Sequence, residues 1–261
     1  MRCDARARPA SVLADAARRG DLPPAPLSRP GDVAAADAAE ADRASEALLR
    51  DGLRSLLPDT RIVGEENCAW DPSLLDELDR GRVWLVDPLD GTSNFRRGRT
   101  PFAMLVALLD GGDTQAAWLL DPCRDRLCHA ALGQGAFVDG TRVRSRGTGA
   151  AIPLGALGTT YLPAELGRQC DERAEGRIAR APLPRCTGEQ YPRLVLGEED
   201  VALYWRPRPW DHAAGALFLR EAGGWVAHFD GSPYHPGRTR NGLLAASSRG
   251  LWEHAARILF G

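Results

Sequence analysis

Val83-Trp84-Leu85-Val86-Asp87-Pro88-Leu89-Asp90-Gly91-Thr92-Ser93-Asn94-Phe95 is a short, almost wholly apolar run that ends in two aspartates, a proline, a glycine and two hydroxyl residues. Val83 to Val86 is too short for a helix and reads as a buried strand. The residues after it have turn chemistry: Pro88 fixes φ, and Gly91 permits conformations closed to residues with side chains. Asp87 and Asp90, at the end of such a strand, are hard oxygen donors directed at one place. They suit Mg²⁺, which takes one or two carboxylates and completes its octahedron with water and substrate phosphate. The closely spaced backbone N–H groups of Gly91, Thr92 and Ser93 then offer a seat for a phosphate. Taken alone, Asp-Pro-Leu-Asp-Gly is equally compatible with a plain surface turn.

Composition narrows the classes. At 261 residues the chain can bury one large core or two modest ones, and 44% hydrophobic with 26% charged residues is ordinary for a globular protein. A net charge of −2 gives no reason to expect nucleic-acid or membrane binding. All 33 basic residues are arginine, which excludes Schiff-base and lysine-nucleophile chemistry. No secretory signal or membrane-spanning run is read, so the expected location is cytoplasmic. Cys3, Cys68, Cys123, Cys128, Cys170 and Cys186 are scattered and expected to be reduced; no histidine cluster completes a zinc site with them.

The full thirteen-residue stretch resembles the central motif of the inositol monophosphatase family, Asp-Pro-hydrophobic-Asp-Gly-Thr-(Ser/Thr)-Asn-Phe. Those proteins are Mg²⁺-dependent, typically Li⁺-sensitive phosphomonoesterases. Trp210-Asp211-His212-Ala213-Ala214-Gly215, followed by Glu221-Ala222-Gly223-Gly224, is similar to the family's second motif. The resemblance covers roughly residues 37 to 250. It implies a layered αβαβα sandwich, divided into an α+β half over residues 1–150 and an α/β half over residues 151–261. It also implies two or three Mg²⁺ ions per site, a small phosphomonoester as substrate, and a homodimer.

Outward from the motif, residues 1 to about 35 carry a weak helical pattern broken by prolines and read as a loosely held arm. Ala35 to Leu57 is expected to be a helix whose apolar stripe is Leu49, Leu53, Leu56 and Leu57. Asp42 falls on the stripe's side of that helix. By resemblance it is the carboxylate that, with the Thr92 hydroxyl, activates water, with Asp37 as the competing choice. Ile62 to Asn67 reads as a strand running into a turn. The family's Gly-Glu-Glu motif assigns a metal ligand to Glu65, ahead of Glu66.

Phe102–Leu109 and Ala116–Leu120 are expected to form a hairpin through Gly111-Gly112, and residues 128–131 and 136–143 to add antiparallel strands turning at Asp139-Gly140. After a polar, glycine-rich stretch at 144–152, a strand is expected over 154–161. Helices follow over 163–181 and 190–196, then a strand over 201–205. A helix opens at Trp210 and stops at Gly223-Gly224. Strands over 225–229 and 243–246 and a helix over 251–259 complete the alternating half.

Asp211 reads as a helix N-cap; the resemblance adds a role as metal ligand, alongside Asp87, Asp90 and the Leu89 carbonyl. His212 reads as packed or surface rather than catalytic. Two departures touch the substrate's alcohol. Tyr204 stands where inositol-specific relatives carry a glutamate, and Gly188-Glu189-Gln190-Tyr191 replaces Gly-Ser-Ala-Ala. Glu189 is therefore read as a partner for a cationic substrate such as histidinol phosphate, or else as surface. Arg206 and Arg208 are read as partners for a second phosphate, as in a sugar bisphosphate, or as solvated. The reading from another class is a catalytically degenerate binding or scaffold protein.

Overall fold

Seven strands laid down in sequence order make the first sheet: β1 (Arg61–Gly64), β2 (Arg82–Asp90), β3 (Ala103–Asp110), β4 (Asp113–Asp121), β5 (Arg126–Ala131), β6 (Gly135–Val138) and β7 (Thr141–Val143). The computed structural model describes residues 35–238 and 240–261, and in the first helix the side chains from Ser45 onward except Leu48. The reading of residues 1–34 lies outside the described residues. β1 runs parallel to β2, and every later neighbour is antiparallel. The turns are those the sequence announces: Gly111 and Gly112 have φ of 60° and 85°, and Asp139 and Gly140 have 48° and 78°. Paired left-handed residues match the right-handed twist of the strands they join.

Five more strands, β8 (Leu154–Leu157), β9 (Ala179–Arg180), β10 (Val201–Tyr204), β11 (Trp225–His228) and β12 (Leu243–Ala246), form a second, mixed sheet in the order β11-β12-β10-β8-β9. The helices are α1 (Ala35–Leu56), α2 (Glu65–Trp70), α3 (Thr92–Phe95), α4 (Ala164–Ala174), α5 (Thr187–Leu196), α6 (Pro209–Glu221) and α7 (Arg249–Phe260). Among the described residues no helix is long and apolar enough to cross a membrane.

Period-two alternation in the strands sorts the layers. Trp84, Val86, Met104, Val106, Trp118 and Leu120 face Leu49 and Leu53 of α1. Their alternates Val83, Leu85, Leu105, Ala107, Ala117 and Leu119 face the opposite way, onto Tyr191 and Leu194 of α5 and Ala213, Leu217 and Phe218 of α6. The far side of α5 and α6 meets Ala202, Leu243 and Ala245 of the second sheet. The outer face of that sheet, with Val201, Leu203, Leu244 and Ala246, packs on Cys170 of α4 and Trp252, Ala255 and Leu259 of α7. Helix, sheet, helices, sheet, helices is the αβαβα sandwich expected. Each buried aliphatic of Leu53's size contributes about 1.5–3 kcal/mol.

The middle layer is tight. A methyl group on Gly215 of α6 would overlap the ring of Tyr191 on α5, which is fully buried.

Four local expectations are corrected. The strand does not end at Val86 but continues through Asp90, with an irregularity between Asp87 and Asp90 that accommodates Pro88. The helix expected over 163–181 ends at Ala174, because the chain turns at Gly176 (φ 68°) and enters β9. Residues 159–161 form a 3-10 turn rather than strand. Asp211 is not the N-cap of α6: Arg208 holds that position and Pro209 opens the helix, which puts Asp211 in its first turn.

Candidate active site

Three chain segments deliver carboxylates to one place. β1 ends at Gly64, and Glu65 opens α2; β2 carries Asp87 and Asp90 across its irregularity; α6 brings Asp211 in its first turn. One oxygen each from Glu65, Asp87 and Asp211 can be chosen so that all lie within 4.8 Å of one another. Asp87 is 2% exposed and Asp90 9%. Burial pushes the Asp87 carboxyl well above its ordinary range, and the charges of Asp90, Asp211 and Glu65 push it the same way. Asp211 is raised well above its ordinary value by burial, then by Asp90 and Glu65. Glu65 is raised by burial, then by Glu66 and Asp90, with Arg208 opposing. Burial also raises Asp90, against hydrogen bonds donated by the Gly188 amide (2.6 Å) and the Thr187 hydroxyl (2.9 Å).

Crowded, buried carboxylates repel one another unless a cation sits among them. Among the described residues none of these four pairs with an arginine; the buried ion pairs lie elsewhere, around Glu189. The donor set is all oxygen, with no imidazole or thiolate, which fits a hard divalent cation.

The turn after β2 is built from its own backbone. Gly91 takes φ +90°, and an added Cβ would crowd the Pro101 carbonyl and the Cys186 side chain. Its carbonyl accepts from the Asn94 and Phe95 amides. The Asn94 side chain donates to the Pro101 and Pro184 carbonyls (2.7 and 2.8 Å), tying the turn to both halves of the chain. The Leu89 amide donates to Asp87 (3.0 Å), and the Thr92 hydroxyl donates to the Leu89 carbonyl (3.1 Å). A carbonyl has two lone pairs, so the second remains open to a cation. Asp42 lies on α1, and its side chain is outside the described residues.

A cavity of about 600 Å³ borders Asp90, Ser93 and Asp211. Tyr204 lines it, stacked on Tyr191 (5.9 Å between centroids) and edge-on to His212 (4.6 Å), and its hydroxyl has no hydrogen-bond partner among the described residues. His212 is buried and shares a 2.9 Å hydrogen bond between its Nδ1 and the Tyr191 hydroxyl. Burial pushes its pKa down to about 3, so it stays neutral.

Glu189 is not placed as expected. It is buried, and its carboxylate is held by Arg124 (2.9 Å), Arg193 (2.8 Å) and Arg126, away from the residues lining the cavity. With its oxygens taken by three guanidiniums it has no capacity for a cationic substrate. The sequence reading also missed Thr187 and Gly188, which hold Asp90. The only available signal was that a short polar segment precedes a helix.

The sequence model of the inositol monophosphatase family matches residues 24–259. The fructose-1,6-bisphosphatase/inositol-1-monophosphatase of Thermotoga maritima is 30% identical over 192 residues, 74% of this chain and 71% of that one. The Nus factor SuhB of Escherichia coli K12 is 34% identical over 203 residues, covering 73% and 71%. In fold, the chain is similar to staphylococcal SaIMPase-II with 2′AMP bound: TM-score 0.78, 22% identity, 95% of this chain and 91% of that one. The chain belongs to the inositol monophosphatase family.

Proposed function

We propose that this family member is a Mg²⁺-dependent phosphatase that hydrolyses a small-molecule phosphate monoester by in-line attack of water. The observation that carries the reading is the unneutralised carboxylate cluster of Glu65, Asp87 and Asp211 at the edge of a ligand-sized cavity. In this reading those three, with Asp90 and the Leu89 carbonyl, hold two or three ions. Bound there, Mg²⁺ would neutralise the phosphoryl oxygens and make a water more acidic. The remaining roles belong to the chain. The amides of Gly91, Thr92 and Ser93 hold the phosphoryl group. The Thr92 hydroxyl, turned from the Leu89 carbonyl to Asp42, would orient the water and relay its proton. Tyr204 bounds the space for the leaving alcohol. Residues 1–150 would carry most of the metal site and 151–261 Asp211 with the alcohol's surroundings. A cytoplasmic homodimer inhibited by Li⁺, binding neither membrane nor nucleic acid, completes the proposal.

A second reading, a binding or scaffold protein without turnover, is favoured by the relative named as a Nus factor. Mg²⁺-dependent phosphate release from a panel of monoesters, including inositol phosphates, histidinol phosphate and fructose bisphosphate, separates the two. The proposal expects release that needs Mg²⁺ and is suppressed by Li⁺. Release from no member of the panel would favour the scaffold.

A further inference from the structure

The cavity beside the carboxylates says more about the alcohol than the metal site does. Its volume of about 600 Å³ lies within the usual range for a small-molecule site. It is lined by Tyr161, Tyr204, Trp205 and His212 and by Arg185 and Arg206. The hydroxyl residues Ser93, Thr160 and Thr187 also line it. Among the described residues the only carboxylates lining it are Asp90 and Asp211, both assigned above to the cation. Gln190 also lines it, but its side-chain amide is bonded to the buried Glu199. A polyol needs several acceptors for its hydroxyl hydrogens, and an amine needs an anionic partner. The hydroxyls of Ser93, Thr160 and Thr187 on this wall can accept from a polyol, but among the described residues it offers no uncommitted carboxylate to an amine.

It supplies flat apolar faces and two positive charges instead. The ion pairs made by arginines of the described residues join Arg124, Arg126, Arg180, Arg193 and Arg240, among others, to carboxylates, and none involves Arg185 or Arg206. Arg185 also sits at φ +54°, in the left-handed region that disfavours residues with a Cβ. Backbone held in such a region collects at ligand sites.

Resting on the phosphatase reading above, the geometry points to a substrate whose leaving alcohol carries a flat, unsaturated ring and a second negative charge. Tyr204, Trp205 and Tyr161 would meet the ring, and Arg185 with Arg206 the anion. Phosphates of cationic amino alcohols are then the disfavoured members of the panel.

A matched series of esters tests this on the full-length protein with Mg²⁺: benzyl phosphate, 4-carboxybenzyl phosphate, 4-(aminomethyl)benzyl phosphate, cyclohexylmethyl phosphate and inositol 1-phosphate. The primary alcohols leave with similar ease, so kcat/KM reports the wall rather than the leaving group. The expected order places 4-carboxybenzyl phosphate first, about tenfold or more above the aminomethyl ester. Benzyl phosphate is expected to exceed its cyclohexyl counterpart severalfold. In the R185A/R206A double variant the ratio of kcat/KM for carboxybenzyl to benzyl ester should fall by about five- to tenfold. A ratio needs no correction for partial folding. Preference for inositol 1-phosphate or the aminomethyl ester, or an unchanged ratio in the double variant, overturns the inference while leaving the phosphatase standing. Hydrolysis of no ester at all removes the phosphatase reading and this one with it.

Discussion

Two clusters of carboxylates, one buried and one buried or half-buried, lie in this protein, and they differ in how their charge is met. Asp121, Glu189 and Glu199 are each at most 4% exposed, and each pairs with at least one of Arg124, Arg126 and Arg193. Although burial works against its charge, hydrogen bonds from Arg193 and Arg126 hold the Glu189 carboxyl below its ordinary range, whereas burial raises Glu199 despite its bond from Arg193. Glu65, Asp87, Asp90 and Asp211 are given no such partner among the described residues, and all four are pushed upward. A chain with 33 arginines could have placed one there. The difference separates carboxylates that hold the fold together from carboxylates without an arginine partner among the described residues, the ones proposed above to hold a cation.

The sharpest way to break that distinction is to remove one charge from the unpaired cluster. Asp90→Asn is expected to lower kcat/KM for any accepted monoester by on the order of a thousandfold or more. Retained turnover with Mg²⁺ still required would place the chemistry elsewhere.

Next in size is the response to the ion. At a Mg²⁺ concentration a hundred times Kd, linkage adds about 2.7 kcal/mol of stability, which for a chain of this length raises Tm by about 5–10 °C. Chelation should reverse the rise, and Asp87→Asn should abolish it. An equal rise in that variant, followed by differential scanning fluorimetry, would show that the ion binds outside the cluster.

Glu189→Gln should behave the other way. Leaving three guanidiniums short of a partner is expected to cost about 2–3 kcal/mol in urea unfolding, below the fully buried figure because Arg124 and Arg193 are partly exposed. The Mg²⁺-induced rise in Tm should persist in it.

The smallest effect is a matter of sign. Without metal, the raised cluster binds more protons folded than unfolded, so its contribution is fullest at low pH and is lost as pH rises through the raised values. Glu189, held low, contributes above about pH 4.5 and is lost on acidification. In EDTA the stability gap between wild type and Asp87→Asn should therefore widen against the wild type as pH rises, by up to about 1.4 kcal/mol per pH unit. The gap between wild type and Glu189→Gln should narrow below pH 4.5. Urea titrations from pH 3 to 8 would read both, and gaps of the same sign would dissolve the contrast.

What could be read in the sequence follows the range of the interactions involved. The alternation of Val83 to Val86, the stripe of Leu49 and Leu53 and the Asp139-Gly140 turn are local, and they fall where expected. Pro88 misled because proline in a central strand is rare, and only the neighbouring strand reveals that β2 passes through it. Asp211 misled because Pro209 moves the helix start ahead of it. Glu189 was illegible for a different reason. Two of its partners, Arg124 and Arg126, lie 65 and 63 residues earlier on another strand and its approach, and nothing around Gly188-Glu189-Gln190 points to them. Conversely, the nearness of Glu65, Asp87 and Asp211 was readable only through two motifs that resemble a family, since no local pattern measures a distance across layers.

The close seat of Tyr191 against Gly215 has a reach beyond packing. Asp90 is gripped by the amide of Gly188 on α5, and Asp211 rides on α6, so the gap between these neighbouring helices also spaces the two aspartates. A residue with no side chain thus works as a shim between two helices, and through them it bears on how far apart the two carboxylates stand.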